Sequence, residues 1–296
     1  MSDVTPPRVT TRSQRIRADL MLLGIALIWG VAFVAQRLGM DQIGPFMFNA
    51  VRFILASVVM VPIVGRRHLQ GLTGADWRDG ALLGVLLFGG ASMQQLGLVY
   101  TTAGKAGFIT GMYVVLVPLA LAIFWCERTS RWNWIAAMVA VLGMFLLSVE
   151  SDFRLKLGDT FVLIGAFLWT SHVIAVDRIT PGREVLRLAI VQYVVCGALS
   201  LVLSLLIERA TWGGIWRAGP AILYVALLST CLGYTGQLIA QRRTAPAHAA
   251  IIFSMESVFA ALAGWLMLGE LLTPRQFVGC CLMLAGMLMA QLSRLR

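Results

Sequence analysis

Charge is what this chain has least of. Only 13% of its 296 residues are charged, 59% are hydrophobic, and the mean hydropathy is +0.82. A soluble domain usually carries about 25% charged residues. The deficit argues against a soluble globular protein. The chain is expected to be a polytopic α-helical membrane protein with no room for a soluble catalytic domain.

Metal-binding and catalytic patterns are also missing. The three histidines form no pair at helical spacing, and the cysteines lie in or beside apolar runs without metal-type spacing, as Cys126, Cys196, Cys231, Cys280 and Cys281. Buried cysteines of this kind usually behave as small apolar residues. No cofactor, no metal site and no nucleophile–base constellation is predicted, so an enzyme is not expected.

A nucleotide motor has no sequence support either. Gly104-Lys105 is followed by Ala106, and the glycine spacing of a phosphate-binding loop is absent. ATP-driven transport by this chain alone is therefore not predicted.

Long apolar runs are what the chain does contain. A helix needs about 20 apolar residues to cross a membrane. Such runs differ from the short alternating segments of a β-barrel. The basic stretch before the first run resembles a signal peptide, but no cleavage pattern follows, which favours a retained helix. Ten spans are predicted, at 20–36, 44–64, 80–100, 104–125, 132–149, 158–177, 185–207, 220–240, 245–268 and 274–292.

The net charge of +10 raises the question of nucleic-acid binding. If both termini face the cytoplasm, the inner segments hold 16 basic residues and the outer segments 7, with Arg52 inside a span. This positive-inside bias indicates that the basic residues set membrane topology rather than bind nucleic acid.

The second half of the chain repeats the spacings of the first. Each half would hold five spans, an odd number, so the second would be inverted, as in many secondary transporters. We expect a cytoplasmic tail at 1–19, repeats at 20–149 and 158–292, an outer linker at 150–157 and a cytoplasmic tail at 293–296. The matched residues are Asp19 and Trp29 with Asp159 and Trp169, and Met112, Glu127 and Gly143 with Met255, Glu270 and Gly286.

Two charged residues fall well inside apolar runs. Arg52 and Glu256 would each cost about 2.5–3.5 kcal/mol at the centre of a membrane. Asn49 shares a helix face with Arg52. Arg52 is open to two interpretations, a packing anchor or a substrate ligand. Glu256 is predicted to exchange protons or to bind a substrate amine.

Matched polar and aromatic residues predict a substrate cavity. Such sites are mostly apolar with a few orienting polar groups. Pro118 is expected to kink or locally loosen the fourth span, and His248 is expected to be interfacial. The cavity candidates are Trp29, Asn49, Arg52, Gln94, Tyr113, Trp169, His172, Tyr234, Gln237 and Glu256.

Three segments carry a family resemblance. Asn49-Ala-Val-Arg52-Phe53, Tyr100 to Thr110, and Met255-Glu256-Ser257 through Glu270 resemble the signatures of EamA-type drug/metabolite transporters. The resemblance implies ten helices in two inverted repeats around a central cavity in the bacterial inner membrane. Ser257 stands where the family often has proline, which puts a kink there in doubt. Glu270 is interpreted as a loop-ordering residue.

Several functions remain open at this stage. The resemblance implies alternating-access transport of small metabolites, often export of amino acids or related compounds. An importer of a vitamin or nucleoside-like compound is an alternative because aromatic residues could stack on a ring. A passive channel would more often show rings of like groups. The expected partners are a small-molecule substrate and the lipid bilayer, with a possible homodimer.

Overall fold

The computed structural model describes residues 11–65, 69–101, 103–127, 129–148, 157–269 and 273–295. All regular elements in these ranges are helices. They are α1 Arg12–Met40, α2 Pro45–Val64, α3 Gly74–Tyr100, α4 Ala103–Gly111, α5 Tyr113–Trp125, α6 Arg131–Ser148, α7 Leu157–Ile179, α8 Val185–Ile207, α9 Trp212–Arg217, α10 Gly219–Tyr224, a π-helical segment Val225–Tyr234, α11 Thr235–Gln241, α12 Pro246–Phe253, α13 Met255–Leu268 and α14 Pro274–Leu295.

The helices have the length and surface of a multi-pass membrane protein. Within the described ranges, seven helical stretches are long and apolar enough to cross a membrane. Three more apolar stretches are shorter: Ile109–Trp125, Arg131–Leu146 and Pro274–Ala290. Large apolar side chains such as Leu206 and Phe124 lie exposed on the outside of the bundle. An exposed apolar surface of this extent suits contact with lipid rather than with water.

Polar caps explain why α1 is longer than its apolar run. The backbone N–H of Gln14 donates to Thr11 Oγ1 at 3.3 Å, and the N–H of Thr11 donates to Gln14 Oε1 at 3.2 Å. This capping box satisfies donors that the first helical turn leaves without partners. The helix therefore begins at Arg12, before the predicted span 20–36, because hydropathy marks only the part that crosses the membrane.

The fourth and ninth predicted spans are each broken into two helices. Met112 separates α4 from α5, and Ser254 separates α12 from α13. Pro118, which is expected to kink or locally loosen the fourth span, lies inside α5. Ser254 Oγ donates to the carbonyl of Ile251 at 2.7 Å, and such backbone bonds bend helices. The break near Ser257 therefore needs no proline.

Helices α6 and α14 make a reciprocal close contact. A Cβ added at Gly143 would lie 2.6 Å from the carbonyl oxygen of Gly279, and one added at Gly286 would lie 2.8 Å from that of Ala136. Gly143 precedes Gly286 by 143 residues, and Ala136 precedes Gly279 by the same number. Small residues allow this approach, which supplies much of the helix association in lipid.

Two threonine–aspartate hydrogen bonds also join matched positions of the two halves. Thr101 Oγ1 donates to Asp159 Oδ1 at 2.7 Å, and Thr244 Oγ1 donates to Asp19 Oδ1 at 3.3 Å. His248 lies beside the second pair, with Nε2 at 3.5 Å from Asp19 Oδ1. Its side chain is only 1% exposed, so His248 faces the protein interior rather than the outside of the bundle. Glu270 lies outside the described residues.

Cys126 offers a test of helix termination. Cys126 ends α5 in the left-handed region of backbone conformation, at φ 53°. Gly269 ends α13 in the same region, at φ 69°. The N–H of Cys126 bonds to the carbonyl of Leu121, and that of Gly269 to Gly264. Residues with a Cβ pay about 1–2 kcal/mol in this conformation. We expect Cys126→Gly to raise the thermal unfolding midpoint of the detergent-solubilised protein. Gly269→Ala should lower it, and a Cys126→Gly variant that melts earlier would contradict this explanation.

Candidate functional site

A small cavity lies at the centre of the bundle, between α1, α2, α3, α5, α7, the π-helical segment and the α12–α13 break. Its volume is about 40 Å³. Ligand pockets for small molecules are typically about 300–1,000 Å³. The described conformation therefore holds at most a few water molecules. Eight of the ten predicted candidates line it: Trp29, Arg52, Gln94, Tyr113, Trp169, Tyr234, Gln237 and Glu256.

One hydrogen bond spans the cavity between the two broken spans. Tyr113 Oη donates to Glu256 Oε1 at 2.9 Å, and both side chains are buried. Tyr113 begins α5, and Glu256 lies in the first turn of α13. Helix breaks leave backbone groups that other partners must satisfy. Here the breaks also bring a phenol and a carboxyl group into contact in the middle of the membrane span.

Aromatic rings form one wall of the cavity. Trp29 contacts Tyr234 and Phe253, with ring centroids 5.0 and 5.1 Å apart. Trp169 stacks on Tyr234 at 5.9 Å with an interplanar angle of 11°. Both indole N–H groups have acceptors: Trp29 Nε1 donates to the carbonyl of Ser229 at 3.1 Å, and Trp169 Nε1 donates to Gln94 Oε1 at 3.1 Å. The wall is therefore mainly apolar, with its indole donors already occupied.

Amide side chains orient the remaining walls. Gln94 Oε1 accepts from Trp169 Nε1 at 3.1 Å. Gln237 Nε2 donates to Gln241 Oε1 at 2.8 Å, and Gln241 Nε2 donates to the carbonyl of Val173 at 3.2 Å. The Oε1 atom of Gln237 has no hydrogen-bond partner among the described residues. This side chain is therefore equipped to accept a hydrogen bond from a bound molecule.

Arg52 is buried and lines the cavity without a carboxylate partner in the described part of the chain. Its Nη1 donates to Gln36 Oε1 at 3.2 Å, and its Cζ lies 4.6 Å from the centre of the Phe53 ring. Among the described residues, no carboxylate oxygen lies within ion-pair distance of the guanidinium, and Nε has no acceptor. A cation over an aromatic face gains some electrostatic stabilisation, but less than a buried ion pair requires.

Two predicted candidates lie behind the cavity wall rather than in it. Asn49 is fully buried, and its Oδ1 faces Gln95 Nε2 at 3.5 Å. His172 lies edge-on to Trp169 and Tyr234, and its Nε2 is 3.3 Å from Gln192 Oε1. Both residues pack behind groups that face the cavity. The spacing of residues along a helix predicts which way a side chain points. It does not predict which neighbouring helix packs over that side chain.

Several lining residues are not among the predicted candidates. Gln36 is the most polar of them, and it lies seven residues after Trp29 with Ala32 and Phe33 between, all on one face of α1. That heptad spacing is the signal that would have found it. The others that were not predicted are Thr110, Val173, Ser229 and Phe253.

Nearly the whole chain matches one protein family in two copies. The EamA-like transporter family matches residues 16–149 and again residues 156–291. The chain belongs to this family. The two matched segments together cover nearly all of the sequence, so the family assignment concerns the complete bundle and its cavity.

Curated relatives and a solved structure agree with this membership. An uncharacterized transporter of Archaeoglobus fulgidus is 30% identical over 94% of this chain and 87% of its own length. The threonine/homoserine exporter RhtA of Escherichia coli (strain K12) is 27% identical over 88% of this chain and 85% of its own length. One solved crystal structure superposes with a TM-score of 0.80 at 18% identity, over 95% of this chain and 99% of that chain, which shows a shared fold. These relatives are named as transporters, and they support transport of small metabolites.

Proposed function

We propose that this protein is a secondary transporter that moves small metabolites across the membrane by alternating access at the central cavity. The observation that carries the proposal is the hydrogen bond between Tyr113 and Glu256. These residues are 143 positions apart, the same offset that relates Met112, Glu127 and Gly143 to their matches in the second half. Residues that are equivalent in two repeats touch each other only where a symmetry axis passes between them. The cavity therefore sits where an alternating site is expected.

Ten spans in two inverted five-helix repeats, over 20–149 and 158–292, complete this proposal. The reciprocal contacts of Gly143 and Gly286 support a two-fold relation, as do the paired threonine–aspartate bonds. The double family match also supports it. Since five spans are an odd number, a two-fold axis between the halves must lie in the membrane plane.

The small volume of the cavity supports a conformational cycle. About 40 Å³ is far below the space that a metabolite needs, so the bundle must open to admit one. The Thr101–Asp159 bond joins the third predicted span to the sixth, and the Thr244–Asp19 bond joins the eighth to the first. In the proposed topology they lie at opposite ends of the bundle. Breaking one while keeping the other would open the cavity to one side.

The charge distribution supports an orientation for the bundle. The inner segments of the proposed topology carry 16 basic residues and the outer segments 7. We place the protein in the bacterial inner membrane with both termini in the cytoplasm.

Amino acids or related compounds are the proposed substrates, and export is the proposed direction. The RhtA relative is named as a threonine/homoserine exporter, and the family match extends over the whole cavity. The cavity offers one carboxyl group, one guanidinium and several amides within an aromatic wall, among the residues that the structure describes. That set of groups can bind both ends of an amino acid and the side chain between them.

Transport by purified protein in liposomes tests the proposal. Labelled threonine, homoserine and a panel of other amino acids would be supplied with and without a pH gradient. We expect saturable flux that unlabelled substrate reduces, and no flux in protein-free liposomes. Flux that rises linearly with concentration and resists competition would instead indicate a pore.

Import of a ring-bearing metabolite is the second candidate. The stacked pair of Trp169 and Tyr234 and the nearby ring of Trp29 favour it, because flat apolar surfaces stack well on heterocycles. Nucleosides and vitamins added to the same liposome panel separate the two candidates. Inhibition of amino-acid flux by a nucleoside, together with nucleoside uptake, would favour the second.

A further inference from the structure

We propose that Arg52 binds the carboxylate of the transported molecule, while Glu256 receives its ammonium group. The substrate would then be a zwitterion held between two opposite charges. This inference rests on the proposed transport function and adds to it the residues that select the substrate. It also decides between the two interpretations of Arg52, since a packing anchor would not need an anion.

The surroundings of Arg52 leave its charge unbalanced. The side chain is among the largest fully buried ones, and the only other charged residue in the described cavity lining is Glu256. Glu256 lies beyond ion-pair distance from the guanidinium and is bonded to Tyr113 instead. Removing an ion from water costs several kcal/mol unless an opposite charge comes close. A substrate carboxylate supplies that charge when the cavity opens.

The hydrogen-bond donors of Arg52 are only partly used. Nη1 donates to Gln36, whereas Nε has no acceptor among the described residues. Guanidinium groups bind carboxylates through two parallel N–H donors. The amide of Gln36 is itself held by Nε2 donating to the carbonyl of Ala32 at 3.0 Å. Arg52 is therefore fixed from one side and has donors left for a ligand.

The positions of the charges suit a zwitterion. Arg52 lies on α2 beside α1, whereas Glu256 lies at the start of α13 and contacts α5. Arg52 is bonded to the neutral Gln36, and Glu256 is bonded to the neutral Tyr113. The two charged side chains are not paired with each other. An amino acid placed between them would pair its carboxylate with one and its ammonium with the other.

Matched pairs of ligands test the role of Arg52 directly. Each L-amino acid would be compared with its amide, which keeps the ammonium and the side chain but lacks the carboxylate. Binding is measured as the rise in thermal unfolding midpoint of the purified, detergent-solubilised protein. We expect one or more amino acids to stabilise it, and their amides to bind about 10- to 100-fold more weakly, the range expected for charged hydrogen bonds.

Gln36→Glu is the sharpest variant, because it leaves Arg52 in place. It puts a carboxylate where Gln36 Oε1 now accepts from Nη1, so the folded protein should be as stable as before. We expect at least about 10-fold weaker amino-acid binding, because the guanidinium is already paired. Gln36→Met should bind much better than Gln36→Glu.

Arg52→Gln should lose the preference for acids over amides, and Arg52→Lys should regain part of it. Arg217→Gln, an exposed arginine bonded to Gln42, is the control and should bind normally.

The outcomes separate this inference from the proposed function. Amides that bind and are transported as well as the acids, or undiminished binding in Gln36→Glu, would overturn the role of Arg52 and leave the transporter intact. Failure of every amino acid to stabilise the wild type would also overturn it. Absence of saturable flux for all compounds in liposomes would overturn the transport function itself.

Discussion

Glu256→Gln is expected to lower the substrate accumulation driven by a pH gradient at least about 10-fold. Substrate exchange at equal pH on both sides should continue, with weaker affinity. Glutamine has nearly the same shape but cannot take up or release a proton. Glu256 is buried, lies in a membrane span, and is the only carboxyl group among the described cavity-lining residues. Carboxyl groups at such positions commonly mark proton pathways. Coupling should therefore depend on this side chain.

Tyr113→Phe is the matched variant for this prediction. It removes the phenol that donates to Glu256 at 2.9 Å but keeps the carboxyl group. We expect accumulation to persist with an altered dependence on pH. Both variants are measured in liposomes with an imposed gradient and, separately, in counterflow with equal pH on both sides. If Glu256→Gln accumulates substrate as the wild type does, Glu256 is not the coupling group, and the proton pathway must lie elsewhere.

The helical architecture could be predicted from the sequence because membrane spans have a strong hydropathy signal. The helix Val185–Ile207 coincides with its predicted span. The ends of α1 and the break at Met112 were not predictable in the same way. They depend on hydrogen bonds of Thr11 and on packing between spans, whereas hydropathy averages over many residues.

Most of the candidate site can be found by comparing the two halves of the sequence. The repeat offset alone matches Tyr113 with Glu256, and the structure brings the two side chains together. Asn49 and His172 share helix faces with the lining residues Arg52 and Trp169, but they do not line the cavity in this conformation. Gln95 covers the first, and Trp169 stands in front of the second. Burial of a polar group indicates a partner, but not whether that partner is protein or substrate.

Gly30→Ala is expected to cost about 1–3 kcal/mol of stability and most of the transport activity. A Cβ at this position would lie 2.5 Å from Phe259 Cβ, 2.7 Å from the carbonyl oxygen of Glu256 and 2.8 Å from the nitrogen of Ala260. Two of these are backbone atoms that cannot rotate away, so α1 and α13 must separate. The displacement would move Glu256 and the neighbouring Trp29 together, and the cavity would lose its shape.

Gly24→Ala is the matched control on the same helix. Apart from the backbone of its own helix, no atom lies within 4 Å of a Cβ added there, so the added methyl group meets open space, and alanine is the better helix former. We expect its thermal unfolding midpoint in detergent to equal or exceed that of the wild type, while that of Gly30→Ala falls by several degrees. Equal midpoints for the two variants would show that α1 can move away from α13 at little cost. In that case the contact at Gly30 would be a sliding surface of the transport cycle rather than a fixed support for Glu256.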